Sequence, residues 1–225
     1  LYFCITDVIR PTMLIRTPFF QAPKRKELKV VLQNQSKAKQ VSIMAMVAAL
    51  FAVFFYLSHI VALPNFTFLY LPIILLGVFP LWFGWSGLVG TAIGAYIGGV
   101  YVEALPLHLA WIEITTAFLI YGLNWLLIPR ISAAAKTSKG LIILGSIYAL
   151  TLLVGTVAIL WQFTIVGLFT PEFAWPFLPW TFALNLPFAL IACPALIRAI
   201  SPRIKSWGMY TGTFAEWRFS KTKLQ

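Results

Sequence analysis

Glu113 is a carboxylate set in a long apolar run, residues 107–128. A charged group at bilayer depth costs several kcal/mol unless it meets a partner or water. Its position therefore asks for polar-anchor chemistry, in a pocket or in a buried polar network. His108 and Trp111 precede it in the same run, and Thr116 and Asn124 follow. His59 stands near the end of the first apolar run and Asn185 in the last one, below Trp175 and Trp180. If the runs alternate in direction, His59, His108 and Glu113 share a depth and Asn185 lies in the same half. Together they read as a pocket with aromatic walls and a few polar anchors, open on one side. Each has a plainer role too. His and Trp anchor helix ends at an interface, and Asn124 and Asn185 serve equally as interhelical hydrogen-bond partners. Asn65 and Thr67 join the candidates by position alone, in the short connection 63–67. Glu103 and Glu172 are expected to be solvated.

Other chemistries have no residues to carry them. The two histidines and two cysteines fall at no metal-ligand spacing. There is no phosphate-binding loop, no hydrolase elbow and no carboxylate pair at helical spacing. The expectation is a binding protein, not an enzyme, with no catalytic residue, no metal and no cofactor. Cys4 lies in the leader, and Cys193, in an apolar run, is expected to be a buried structural thiol.

The elements that must position these residues are membrane helices. Apolar residues make up 60% of the chain and charged residues 10%, with a mean hydropathy of +0.88. A soluble domain carries about 25% charged residues, so an ordinary soluble fold is excluded. Six runs approach the roughly 20 residues a span requires: 42–63, 66–83, 86–103, 107–128, 140–169 and 176–200. The second holds Pro72 and Pro80, and the sixth holds Pro187 and Pro194. In the third, Gly90, Gly94 and Gly98 recur every fourth residue. That spacing puts them on one helix face, where a bare backbone lets a neighbour approach closely. Bulk at Gly94 is expected to disrupt folding or to close the pocket. The first run has its own small-residue face, with Ala45 and Ala49 four apart and Ala48 and Ala52 likewise.

Charge placement sets the orientation. The net charge is +11, and the basic residues gather before residue 40, between 130 and 139, and after 197. That is the pattern of cytoplasmic flanks on anionic lipid, not of a nucleic-acid surface. The expected fold is an all-α, polytopic integral membrane protein of the cell membrane. It has six transmembrane helices and both termini cytoplasmic. Residues 1–40 form a basic leader, 41–201 the six-helix domain, and 202–225 a basic aromatic tail, either an interfacial strip or a loose end.

Residues 37–205 resemble the substrate-binding S component of energy-coupling factor (ECF) vitamin transporters. The resemblance rests on the Ala45/Ala49 first helix after a basic leader, on the Pro- and Gly-rich stretches Leu71-Pro-Ile-Ile-Leu-Leu-Gly77 and Gly87 to Gly99, and on six spans with both termini inside. It implies that Ala45 and Ala49 dock on a membrane coupling subunit. It also implies that partner ATPases supply the energy, since this sequence holds no nucleotide-binding motif. A small organic, vitamin-like solute would bind at the outer face, under the connection that carries Asn65 and Thr67. The N-terminal histidine of cobalt and nickel members has no counterpart here, which disfavours a metal substrate. A second resemblance, to aromatic- and Gly-rich sensor domains of the MASE1 type, implies a membrane sensor or assembly module without transport.

Overall fold

The structure is a computed structural model that describes residues 37–60, 70–75, 77–128 and 137–217. Asn65, Thr67 and the leader through residue 36 lie outside the described residues. All regular structure among the described residues is helical. In chain order it runs α1 (Lys37–Ile60), a 3-10 segment (Leu71–Leu75), α2 (Phe79–Phe83), α3 (Trp85–Tyr101), a 3-10 turn (Leu107–Leu109), α4 (Trp111–Leu127), α5 (Ser138–Ile165), α6 (Pro171–Ala174) and α7 (Phe177–Ser206). Four helical stretches, Lys37–Ile60, Leu107–Leu127, Ser138–Ile165 and Pro171–Ser206, are long and apolar enough to cross a membrane. α3 has 17 residues, about 26 Å of helix against a hydrocarbon core of roughly 30 Å.

The run 66–83 departs from the continuous helix expected of it. Its described part is a 3-10 turn, a bend at Gly77 and Val78, and the five-residue α2. Pro72 and Pro80 each lack an N–H and disfavour the helical conformation in the residue before them. Broken backbone of this kind survives at membrane depth only where protein buries it and satisfies its polar groups. Both conditions are met. Ile73, Val78, Phe79, Leu81, Trp82 and Phe83 are buried in the core. The Tyr70 N–H donates to Asn185 Oδ1 at 2.8 Å, and the Leu71 N–H donates to Ser58 Oγ at 2.8 Å. At the other end of the turn the Cys193 thiol donates to the Ile74 carbonyl at 3.3 Å.

The helices and this segment together form a ring. α1 packs on α3, α3 on α4, α4 on α5 and α5 on α7, and the broken segment closes the ring between α7 and α1. The α1–α3 contact runs along the glycine face. A Cβ on Gly90 would sit 2.8 Å from the Met44 carbonyl oxygen, one on Gly94 2.7 Å from Phe51 Cβ, and one on Gly98 2.5 Å from the Phe55 ring. None of these fits without movement of α1. Ala48 turns inward beside this face, while Ala45 and Ala49 are exposed on the outside of the bundle. α7 stays one helix through Pro187, Pro194 and Pro202, as membrane helices can when neighbours take up the freed groups.

The two ends of the bundle differ. One carries Lys37, Lys39, Lys139, Arg203 and Lys205, and the other carries Glu103, Glu113 and Glu172. At the basic end residues 207–217 fold back as a plug. The Thr211 N–H donates to the Trp82 carbonyl at 2.6 Å, Trp125 Nε1 to the Gly212 carbonyl at 3.2 Å, and Lys39 Nζ to the Gly208 carbonyl at 2.9 Å. Thr213 and Glu216 make a reciprocal capping box: the Glu216 N–H donates to Thr213 Oγ1 and the Thr213 N–H to Glu216 Oε2. The Tyr210 hydroxyl donates to the same carboxylate at 2.8 Å. Burial first, and Glu216 second, hold that hydroxyl well above its ordinary pKa, so it remains a donor. Through residue 217, then, the tail is folded against the bundle and is no loose end.

Candidate functional site

A cavity of about 190 Å³ opens toward the acidic end, between α1, the broken segment, α3, α4, α5 and α7. Its walls are mostly carbon: Phe55 from α1, Ile73 from the broken segment, Ala95 from α3, Ile120 from α4, and Leu152 and Phe163 from α5. Its polar groups are few. Glu113 and Thr116 come from α4, Thr156 from α5, and Thr181 and Asn185 from α7; Glu103, Tyr70 and Tyr121 also line it. Neither Lys nor Arg is among them.

Glu113 is the buried carboxyl of this site, with 4% of its surface exposed. The 3-10 turn Leu107–Leu109 ends at Ala110, and α4 then starts with Glu113 in its first turn. Gly99 on α3 makes room for it, since a Cβ there would sit 2.7 Å from Glu113 Cγ. Among the described residues nothing hydrogen-bonds the Glu113 carboxyl, and no basic side chain faces it. Thr116 lies one turn further along the same face. It is 6% exposed, and its hydroxyl has no partner among the described residues.

The other polar groups of the wall are already engaged. Thr156 Oγ1 donates to the Leu152 carbonyl at 2.8 Å. Asn185 accepts from Tyr70 N–H and donates through Nδ2 to the Thr181 carbonyl at 2.7 Å. It therefore clamps the broken segment to α7 while forming part of the lining. Phe55 and Tyr70 meet edge to face with centroids 5.5 Å apart, and Phe51 meets Tyr121 the same way at 5.6 Å. Such pairs fix the aromatic wall in place.

The rim is built by His59 and Glu103. His59 Nε2 lies 3.5 Å from Glu103 Oε1, with the two side chains 32% and 29% exposed. The imidazole stacks on Phe55 at 12° and 6.2 Å. Burial raises the Glu103 pKa, and His59 beside it pulls the other way. The backbone at this rim is strained. Ala104 has φ +55°, the left-handed region, and the chain turns there as the Leu105 N–H returns to the Gly99 carbonyl at 2.9 Å.

The residues grouped by depth in the sequence divide here. Glu113 and Asn185 line the cavity, and His59 stands at its rim through Glu103. His108 and Trp111 do not line it: His108 is exposed in the 3-10 turn, and Trp111 is 45% exposed. Two helical positions separate Trp111 from Glu113, about 200° of rotation, so the two side chains point apart. Asn124 is buried deeper, where it accepts from Thr151 Oγ1 at 3.0 Å and ties α4 to α5. Trp175 and Trp180 are exposed on the outside. Glu103, expected to be solvated, is exposed and also lines the mouth of the cavity. Tyr70, Tyr121, Thr156 and Phe163 were not among the expected site residues. Thr116, one turn after Glu113, carried a readable signal; Tyr70 carried none, because its place depends on contacts more than a hundred residues away in sequence. Among the described residues no three His, Cys, Asp or Glu side chains gather as a metal site. No family model matches this chain, and neither a curated protein nor a solved structure matches it.

Proposed function

We propose that this chain is the substrate-binding membrane subunit of an ECF-type importer, capturing a small organic solute from outside the cell. The observation that carries the reading is the cavity of about 190 Å³, which buries an unpaired carboxylate at the acidic end while a folded plug covers the basic end. A site open on one side and covered on the other is what a capture subunit needs before it hands its load inward.

Six spans are counted in this reading: the four long apolar helices, the shorter α3, and the broken segment that ends in α2. Broken segments beside a mid-bundle cavity are a recurring feature of membrane transport proteins. The basic end then faces the cytoplasm with both termini, in the cell membrane, and the cavity faces out. Lipid surrounds the bundle, and no nucleic acid is involved. Ala45 and Ala49, exposed on α1 among apolar neighbours such as Met46 and Leu50, supply the docking face for a membrane coupling subunit that brings ATPases. Asn65 and Thr67 lie outside the described residues and remain candidates for solute contact through the resemblance alone. His108 and Trp111 are not assigned a solute contact, because the cavity does not include them.

The test is purification from native membranes in a mild detergent. The expected result is co-purification of a membrane coupling subunit and ATPases, lost when Ala45 and Ala49 are both replaced by Leu. Recovery of the chain alone, with the alanine pair intact, would refute the transport assignment.

A further inference from the structure

We infer that the cavity takes a small organic ammonium ion, its charge held by the Glu113 carboxylate and one of its N–H groups by Thr116 Oγ1. The inference rests on the solute-binding reading above and adds the class of solute. Two carboxylates, Glu103 and Glu113, line the cavity, and neither Lys nor Arg lines it. Glu103 has His59 at 3.5 Å, while Glu113 has no cation among the described residues. A buried carboxylate without a counter-charge is costly, and a ligand that brings the charge removes that cost.

The remaining lining agrees. The Thr116 hydroxyl is buried, lines the cavity and has no partner among the described residues. Placed one turn from Glu113, it gives an ammonium group a second oxygen acceptor. Phe55, Tyr70, Tyr121 and Phe163 present aromatic rings, which attract an organic cation and also cover its hydrocarbon part. A bare metal ion fits less well. A hard divalent cation takes about six to eight oxygen ligands, and here the Asn185 amide and the Thr156 hydroxyl are already engaged. An anionic solute would meet two carboxylates and no basic side chain. Size narrows the class further. A cavity of about 150 Å³ holds benzene, so about 190 Å³ holds one ring with a short amine arm.

The experiment uses the full chain in lipid nanodiscs and three probes of matched size: benzylammonium, benzyl alcohol and benzoate. Binding is measured by calorimetry at neutral pH. Expected are benzylammonium binding at least tenfold tighter than benzyl alcohol, and no binding of benzoate. In Glu113→Gln, with its fold checked by circular dichroism, the preference for the amine over the alcohol should vanish. Equal or tighter binding of the alcohol or of benzoate overturns the ammonium assignment and leaves solute capture standing. An amine preference that survives in Glu113→Gln overturns the role of Glu113. If none of the probes binds and the purified protein retains no small molecule, solute capture itself falls, and this inference with it. The comparison of probes on the unsubstituted protein decides the charge class even if the variant does not fold.

Discussion

Asn185, Ser58 and Cys193 do at residue scale what a helix would otherwise do for itself. Each satisfies a backbone group that the break at 71–83 sets free. Leaving a buried donor without an acceptor costs about 1–3 kcal/mol. Asn185→Leu should therefore lower the thermal unfolding temperature of the detergent-solubilised protein, because it orphans the Tyr70 N–H, and unchanged unfolding would argue against the clamp. At the rim, Ala104 occupies a left-handed conformation that glycine adopts without strain. Ala104→Gly should stabilise by roughly 1 kcal/mol, read in the same assay. Glu103 adds a pH dependence. Burial raises its pKa in the folded state, more than His59 lowers it. Its contribution to stability is then fully present below the unfolded value of about 4.3 and is lost as pH rises through the folded value. Glu103→Gln should remove that part of the decline, seen as a flatter unfolding-versus-pH curve than that of the unsubstituted protein. At this scale the sequence made Glu113 and Asn185 legible, because a polar group in an apolar run must be accounted for. It misgrouped His108 and Trp111 with them. Depth along a helix can be counted from sequence, whereas the side of the helix facing inward depends on where the helix starts, and the 3-10 turn before α4 shifts that start.

The glycine face is the element whose role is plainest. Gly90, Gly94 and Gly98 each bring α3 within touching distance of α1, against Met44, Phe51 and Phe55. Gly94→Ala puts a methyl group against the Ala48 carbonyl as well as Phe51, and neither can yield easily. Overpacking of this kind costs about 1–3 kcal/mol. Gly122→Ala is the control: its new methyl would meet only Leu88 at 3.8 Å, an ordinary contact. There the helix should gain up to about 1 kcal/mol from the lost flexibility of glycine. Opposite shifts in unfolding temperature for the two variants are the expected outcome, and shifts of the same sign would contradict the packing described. The spacing of these glycines is local and could be read directly. The break in 66–83 could be suspected from Pro72 and Pro80 but not drawn, because the partners that make it tolerable, Asn185 and Cys193, lie more than a hundred residues onward. The capping box Thr213-Phe-Ala-Glu216 was legible in principle.

At the scale of the whole molecule, the bundle is asymmetric along its axis. The acidic end holds the cavity, and the basic end holds the plug of residues 207–217, pinned by Trp82, Trp125 and Lys39. Charge distribution along the sequence pointed to this polarity, whereas the closing of one end depended on long-range contacts. Glu216→Ala removes the acceptor shared by Tyr210 and the Thr213 N–H. It should speed hydrogen exchange in residues 210–217 without altering what the cavity binds, since the two lie at opposite ends. The central claim is that the cavity is a binding site, and native mass spectrometry of the protein released from mild detergent tests it most directly. The prediction is a small-molecule adduct on the unsubstituted protein, lost in Thr156→Phe, where the ring would fill the cavity, and retained in Glu216→Ala. A bare chain mass in every preparation, or an adduct equally abundant in Thr156→Phe, would contradict it.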